Sequence, residues 1–546
     1  MKLNKFLITA ILSSLKNTPM FFIYLSLYCF QGLFSGAIGV WVYFHGFFLN
    51  TFTVVVLILE IYLRNKQIQG IKYSLILRVI LWTLYLILLG YQQVYQTSVN
   101  FELFLYFFKH IRLLSTDIIG FLYQWKLSQW IVLFIGFYWI LNKNRKKIFI
   151  SLSVVILFFL SFISENEELD VSKYLPVSLS QAKRVKSVLE SIHDKPNIVF
   201  VLLEGVSRKH LSTQTSKYIN FSLLEGAHFW IPMPHTSKSL FTWMTGQSQL
   251  NLSRLNIDKS ILESSFPVLL HRDHNYQTIM IYTQSIYFEG MESFFPKIFQ
   301  SVWDKTTLEK EYGSLYSSFS WGMDDRVILS AQKRMIQKTN SPIFVLVGLS
   351  QTHSPYFISK NRSESEWKSP SFRYKVALQE EVKVIDSIIS YWKEHSSRET
   401  VVILSADHGE SFGEEGAHAH NYSLYNQETD VPFLLYFVKS GEIYRPKKGS
   451  SVDFKTTILG LLDEDKDQVH LDQSKNFFSA DYKLNLFSKT WNSEIQKSWI
   501  TLDKKYIYHS DRDQLLEMDL DDRNRKQVTD VRLKDKLVNQ IISGIH

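Results

Sequence analysis

The chain has 546 residues, a net charge of +8 at neutral pH and a single cysteine, Cys29. This length is enough for two or three domains. A single cysteine excludes an intrachain disulfide and a zinc site built from cysteines. Basic residues do not alternate with aromatic residues in any block of the polar part, so we expect no binding of nucleic acid.

The first 164 residues are dense in Phe, Leu, Ile, Tyr and Trp, and they predict a membrane domain. A bilayer span takes about 20 apolar residues, and five runs come close to this length: about 20–43, 46–63, 73–91, 127–141 and 148–163. A buried core helix is the alternative for one short run. Several runs in succession with few charges between them favour membrane spans.

Lysine and arginine residues predict the orientation of these spans. They precede the first span and also lie between the second and third and between the fourth and fifth, so we expect these three segments in the cytoplasm. Basic residues of segment 92–126 fall on the opposite side, where the pattern predicts an interfacial helix. We expect no cleavage after the first span. Everything after residue 164 is then extracytoplasmic, beginning with a polar connector at 165–195.

The polar part, residues 196–546, predicts an α/β domain. Four short apolar runs rich in β-branched residues predict strands, at 197–203, 277–282, 342–349 and 400–405. Amphipathic segments between them, such as 374–395, predict helices. Continuous apolar strands that alternate with helices are typical of a mostly parallel sheet covered on both faces. Ligands of such sheets bind beyond the carboxyl ends of the strands.

Residues of the metal-binding types follow three of these strands. Glu204 follows the first strand, His353 the third, and Asp407 and His408 the fourth. Carboxylates and neutral imidazoles bind divalent metals. An isolated Asp-His pair is more often structural. The combination of the pair with Glu204 and with His418 and His420 downstream favours a metal site.

A hydroxyl nucleophile is the next candidate. Segment 231–246 offers Thr236, Ser237 and Ser239 in a polar turn that precedes a predicted helix. The start of a helix favours an anionic substrate such as phosphate or sulfate, and a hydroxyl next to a metal is activated as a nucleophile. The alternative is that Thr236 or Ser237 only caps the helix.

Together these motifs resemble the sulfatase-like branch of the alkaline phosphatase superfamily. The resemblance covers most of residues 196–530 and is strongest to membrane-anchored phosphoethanolamine and phosphoglycerol transferases, including lipoteichoic acid synthases. Its motifs are "NIVFVLLEGVSR", "HTSKSLFTWMTG", "SQTHSPY", "SADHGESFGEEGAHAH" and "NQETDVPFLLY". Residues 504–528 resemble the small C-terminal antiparallel sheet of sulfatases, which implies a subdomain from about 480 to 546.

The resemblance implies a site and a reaction. One or two divalent metal ions, zinc or manganese first and magnesium or calcium as alternatives, would be held by Glu204, Thr236, Asp407 and His408. Thr236 would be the nucleophile, and His353 and His420 would bind phosphate and protonate the leaving group. The implied donor is a membrane phospholipid, and the acceptor is a lipid or glycan of the envelope outside a bacterial-type cytoplasmic membrane.

Two departures from the family pattern refine this prediction. Sulfatases need Cys or Ser at the nucleophile position, with Pro and Arg following; here Thr236 is followed by Lys238 and Leu240, which argues against hydrolysis of sulfate esters. Many lipid A phosphoethanolamine transferases carry disulfides, and this chain can form none, which favours the phosphoglycerol-type relatives. A hydrolase of phosphate or sulfate esters and a non-catalytic membrane scaffold stay open as alternatives.

Neighbouring polar residues allow weaker predictions. His235 and Lys238 flank Thr236 and are candidates for phosphate contact, with plain surface exposure as the alternative. His418, two residues before His420, is a weaker candidate for a functional role. We expect Asp324 and Asp325 to cap a helix and Glu410 to orient a neighbouring ligand.

Overall fold

The computed structural model describes residues 195–252, 255–319, 321–335, 341–359, 369–462, 475–479, 482–491 and 495–545. The five predicted spans lie outside these residues, as does the predicted connector except for Lys195. In the part of the chain that is described, no helix has both the length and the apolar character of a membrane span.

The strands form a large central sheet, a five-stranded C-terminal sheet and two small ribbons. They are β1 (Asn197–Leu203), β2 (His228–Trp230), β3 (Gln277–Tyr282), β4 (Ser301–Trp303), β5 (Ile343–Gly348), β6 (Thr400–Ala406), β7 (Ser411–Phe412), β8 (His418–Ala419), β9 (Phe433–Phe437), β10 (Ile443–Tyr444), β11 (Lys448–Ser450), β12 (Leu486–Lys489), β13 (Gln496–Ile500), β14 (Lys505–His509), β15 (Gln514–Met518) and β16 (Lys526–Gln527). All four strands predicted from the sequence are present.

The central sheet has seven strands in the order β10-β9-β6-β1-β5-β3-β4. The five strands from β6 to β4 are mutually parallel, and β9 and β10 continue the sheet in antiparallel fashion. Strand β1 lies between β5 and β6, and all seven of its residues are buried, as expected for a parallel strand covered on both faces. The prediction of an α/β domain with a mostly parallel sheet is confirmed.

Eleven α-helices are found in the described residues. They are α1 (Arg208–Ser212), α2 (Thr236–Thr245), α3 (Lys259–Glu263), α4 (Phe266–His274), α5 (Met291–Ile298), α6 (Lys305–Tyr312), α7 (Val327–Met335), α8 (Pro370–His395), α9 (Asn426–Thr429), α10 (Phe454–Leu462) and α11 (Val531–Ile545). The predicted helix 374–395 begins four residues earlier, because the Ser369 side chain caps it and Pro370 occupies its first turn.

The C-terminal sheet is antiparallel in the order β12-β13-β14-β15-β16, so it is longer than the predicted segment 504–528. Helix α11 packs against β12 and β13. Leu537, Ile541 and Ile545 of this helix join Met233 and Leu250 in one apolar cluster. The C-terminal sheet and the segment that leads into α2 therefore share a core.

Buried polar contacts also join this sheet to the central sheet's loops. The ammonium group of Lys505, which is fully buried, lies 2.8 Å from Asp522 Oδ1 and donates to Asn426 Oδ1 at 2.8 Å. Trp491, between β12 and β13, stacks on the ring of His235 with centroids 4.2 Å apart. The C-terminal sheet thus contacts the residue that directly precedes Thr236.

Candidate active site

The topology of the central sheet brings the predicted metal ligands together. Strands β1 and β6 are adjacent and parallel, with Leu203 paired to Ala406, so the next residues, Glu204 and Asp407, leave the sheet at the same edge. The backbone N–H of Gly205 donates to Asp407 Oδ1 at 3.0 Å, which ties the two loops together.

Thr236 is the first residue of α2 and points into this cluster. Its hydroxyl lies 3.4 Å from Glu204 Oε1 and 3.2 Å from His408 Nε2. The residue at the N-cap is His235, and no side chain caps the helix. The alternative that Thr236 or Ser237 only caps the helix is therefore wrong, because neither side chain bonds to the backbone N–H groups of the first turn.

Asp407 has one oxygen engaged and the other open. Oδ1 accepts from the backbone N–H groups of Gly205 and His408. Oδ2 is buried without a hydrogen-bond partner among the described residues and lies 3.4 Å from His408 Nε2. Burial, and then the nearby Glu204 carboxylate, raise the pKa of Asp407 to about 7. A buried, unsatisfied carboxylate oxygen is costly unless a cation binds it.

Three histidines are each held through Nδ1. His408 Nδ1 bonds to the carbonyl of Gly409 at 3.0 Å, and His420 Nδ1 bonds to Glu410 Oε2 at 2.8 Å. His353 Nδ1 bonds to the carbonyl of Ser354 at 2.7 Å. A proton on Nδ1 leaves Nε2 as the nitrogen that can bind a metal or carry a proton to a substrate.

The arrangement fits a divalent cation. One ligand atom each from Glu204, His408 and His420 lie within 4.8 Å of one another, and the open oxygen of Asp407 adjoins them. Burial acts to lower the pKa of His408, but Asp407 and Glu204 outweigh it and raise this pKa to about 10. The two carboxylates therefore favour a positive charge at this position, and a metal would take the place of a proton on His408.

His420 lies nearer to the predicted metal ligands than the sequence indicated. Its ring stacks on His408 with centroids 4.0 Å apart, and His353 is its other neighbour at 5.9 Å. Burial, together with the nearby His408, lowers the pKa of His420 well below its ordinary value. His420 is thus available both as a metal ligand and as the predicted contact to phosphate.

The residues on either side of Thr236 are not plainly exposed. His235 is buried, and its Nε2 lies 2.8 Å from Glu289 Oε2. Lys238 is 2% exposed, and its Nζ has no hydrogen-bond partner among the described residues. Burial lowers the pKa of Lys238 to about 8, against the opposing charge of Glu289.

Other predicted residues take different roles. Asp325 does not cap a helix; it accepts from the backbone N–H groups of Ser350 and Gln351 and shapes the loop that carries His353. Glu410 orients His420, in agreement with its predicted role as an orienting residue. His418 is exposed in β8.

Two contributors were missed by sequence reasoning. Gln284 follows β3 and donates from Nε2 to Glu204 Oε2 at 2.6 Å, while Tyr282 donates to Gln284 Oε1 at 3.1 Å. Glu289 accepts from His235 and Ser237. Gln284 could have been found, because it lies two residues beyond a predicted strand, at the edge where the ligands were expected.

We expect Gln284→Leu to weaken metal binding about 10- to 100-fold, because Glu204 loses the hydrogen bond that orients its carboxylate. Competition with a chromophoric zinc chelator measures the affinity. Gln332→Leu is the matched control, since Gln332 is also buried but bonds to Trp392. Equal affinities for the two variants would contradict the orienting role of Gln284.

Comparison with known proteins connects this geometry to a family. A family model described as Sulfatase matches residues 196–464, which contain every residue of the candidate site. An endo-4-O-sulfatase of Bacteroides thetaiotaomicron is 27% identical over 154 residues, which make up 23% of this chain and 30% of that protein. The chain thus matches less than a third of this curated relative's length.

Solved structures of similar fold have low sequence identity to the chain. A protein of the alkaline phosphatase superfamily from Vibrio parahaemolyticus is 15% identical, with a TM-score of 0.46, and the match covers 67% of this chain and 94% of that one. The lipoteichoic acid synthase LtaP from Listeria monocytogenes is 16% identical, with a TM-score of 0.43, covering 67% and 98%. We therefore infer the activity from this chain's own residues.

Proposed function

Because residues 196–464 form a domain of the sulfatase family, we propose that this chain is a metal-dependent phosphotransferase. It moves the head group of a membrane phospholipid, phosphoethanolamine or phosphoglycerol, through a phospho-threonine intermediate to a lipid or glycan of the cell envelope. The N-terminal spans predicted from the sequence would hold the domain at the outer face of the cytoplasmic membrane, close to its donor.

One observation carries the proposal: the Thr236 hydroxyl lies between Glu204 and His408 at the start of α2. A hydroxyl at a predicted metal site, on a helix start that favours anions, is placed to attack phosphorus. Threonine cannot become the aldehyde that sulfatases use. This identity favours transfer of a phosphoryl group over hydrolysis of sulfate esters.

The cation would be held by Glu204, Thr236, Asp407 and His408, and when bound it favours ionisation of the hydroxyl and stabilises charge on the phosphoryl oxygens. Thr236 Oγ1 forms a bond to phosphorus while the bond from phosphorus to the diacylglycerol oxygen breaks. Nε2 of His353 or His420 takes up the proton that Thr236 loses and delivers it to the diacylglycerol oxygen, a contribution of typically 10²–10⁴ in rate.

The second half of the reaction reverses these roles. An acceptor hydroxyl attacks phosphorus and the bond from Thr236 Oγ1 breaks. The same imidazole takes up the proton of the acceptor hydroxyl at Nε2 and delivers it to Thr236 Oγ1 as that oxygen leaves. Atoms and protons balance over the cycle, and the products are diacylglycerol and an acceptor carrying the head group.

Trapping the intermediate tests the proposal. The full-length protein is incubated with phosphatidylethanolamine or phosphatidylglycerol, quenched in acid, digested and analysed by mass spectrometry. We expect a head-group phosphate on the peptide that contains Thr236, together with released diacylglycerol. An adduct on another residue, or no diacylglycerol from either donor, would refute the assignment.

The same assay separates the alternatives. A hydrolase releases the free head group at the same rate as it releases diacylglycerol, whether or not an acceptor lipid or glycan is added. A sulfatase cleaves aryl sulfates in preference to phosphodiesters. A non-catalytic scaffold gives neither product and binds no metal.

A further inference from the structure

The loop after β3 places a carboxylate against both neighbours of Thr236. Glu289 Oε2 lies 2.8 Å from His235 Nε2 and accepts from Ser237 Oγ at 2.5 Å. Both bonds come from the residues directly before and after Thr236, so Glu289 contacts the first turn of α2. Glu289 therefore lies at the start of the helix that begins with the proposed nucleophile.

Only one oxygen of this carboxylate is used. Both hydrogen bonds end on Oε2, and Oε1 accepts none from the described residues. The side chain is 10% exposed, and Oε1 is not among the buried atoms that lack a partner. The open oxygen is therefore accessible to a small group that enters beside the first turn of α2.

The backbone at Glu289 is also unusual. Its φ of 49° lies in the left-handed region, and Gly290 follows with a φ of 92°. A non-glycine residue in this region costs about 1–2 kcal/mol, and such outliers concentrate at functional sites. The hydrogen bond from the backbone N–H of Leu255 to the carbonyl of Glu289 holds this conformation.

Glu289 carries a negative charge at neutral pH. Burial acts to raise its pKa, but the neighbouring His235 and the hydrogen bonds from His235 and Ser237 outweigh burial and lower the pKa. The Lys238 ammonium also lies in the first turn of α2 without a hydrogen-bond partner among the described residues. No ion pair joins Lys238 to Glu289 in this part of the chain, so this ammonium does not occupy Oε1 of Glu289.

We propose that the open oxygen of Glu289 binds the primary ammonium of the head group, so that the donor is a phosphoethanolamine lipid. A carboxylate pairs more strongly with an ammonium than with the neutral hydroxyls of glycerol. The inference rests on the proposed transfer through Thr236 and selects one of its two donors. The absence of disulfides favoured phosphoglycerol-type relatives, so the two observations favour different donors.

The decisive variant is Glu289→Gln. The amide oxygen can keep both hydrogen bonds from His235 and Ser237, while the amide nitrogen replaces the open oxygen and repels an ammonium. We expect kcat/KM for phosphatidylethanolamine to fall about 10- to 100-fold, the size expected for a lost hydrogen bond to a charged group. For phosphatidylglycerol we expect a change of less than about 3-fold.

Both donors are assayed with the full-length protein in detergent micelles, by release of diacylglycerol. Glu263→Gln is the charge-matched control, since Glu263 is 60% exposed and pairs with Lys259. Wild-type preference for phosphatidylglycerol, or an equal loss for both donors in Glu289→Gln, would overturn the role of Glu289. A head-group adduct on Thr236 from either donor still upholds the transferase, so the two proposals fail separately.

A measurement on the wild-type protein covers the case in which Glu289→Gln does not fold. Phosphoethanolamine and glycerol 3-phosphate are compared as inhibitors of diacylglycerol release. We expect phosphoethanolamine to inhibit at a concentration at least about 10-fold lower. Equal inhibition, or stronger inhibition by glycerol 3-phosphate, would refute recognition of the ammonium.

Discussion

We expect Thr236→Ala to lower the rate of head-group transfer at least about 10⁴-fold, because it removes the hydroxyl that contacts both Glu204 and His408. The change removes only two contacts of the hydroxyl, to Glu204 and His408. It should therefore shift the thermal midpoint by less than about 4 °C. Release of diacylglycerol from labelled phospholipid measures the rate, and circular dichroism confirms the fold.

Two further variants sharpen this test. Thr236→Ser keeps a hydroxyl and should retain activity within about 10-fold of the wild type. Ser239→Ala removes a hydroxyl from the same helix, buried without a hydrogen-bond partner among the described residues, and should leave the rate unchanged. Loss of activity in Ser239→Ala together with full activity in Thr236→Ala would reassign the nucleophile.

The second large effect concerns Asp407→Asn and metal. In the wild type, zinc or manganese at 100 times its dissociation constant should stabilise the fold by about 2.7 kcal/mol. Asp407→Asn should lose most of this gain, because a carboxylate ligand is gone. Without metal the two proteins should differ less in stability, since asparagine removes both the repulsion from Glu204 and the attraction to His408. Its amide oxygen can keep both backbone hydrogen bonds.

Thermal unfolding in chelator and in added metal measures the stabilisation by metal in the wild type and in Asp407→Asn. The wild type should gain roughly 2–4 °C on adding metal, and Asp407→Asn should gain much less. Asp386→Asn is the control, because Asp386 bonds to Ser216 and to the backbone of Lys217, and not to any of the predicted ligands. A metal-induced shift in Asp407→Asn as large as in the wild type would remove Asp407 from the ligand set.

The central sheet could be predicted from the sequence because its strands are continuous apolar runs. A run such as 197–203 must be covered on both faces, which implies a parallel sheet and places Glu204 and Asp407 at one edge. Convergence of the ligands then follows from topology alone. The match of residues 196–464 to the Sulfatase family model confirms the resemblance read from the motifs.

The contacts that orient these ligands could not be predicted in the same way. Glu289 bonds to His235, which lies 54 positions earlier in the sequence. The backbone of Glu289 is left-handed, and a glutamate in the sequence does not predict that conformation. Asp325 had the pattern of a helix cap, but its carboxylate bonds to the loop after β5 instead. Pairings of this kind depend on how loops fold over the sheet edge, and local periodicity does not encode that.

The stacking of Trp491 on His235 has a consequence for recombinant work on this chain. A fragment that stops at residue 464, where the family match ends, would contain every predicted ligand. It would nevertheless lack the indole that stacks on His235 and would remove the C-terminal residues that pack with Met233 and Leu250. A fragment intended to keep its chemistry therefore has to extend through α11, whose apolar side chains pack against Met233 and Leu250.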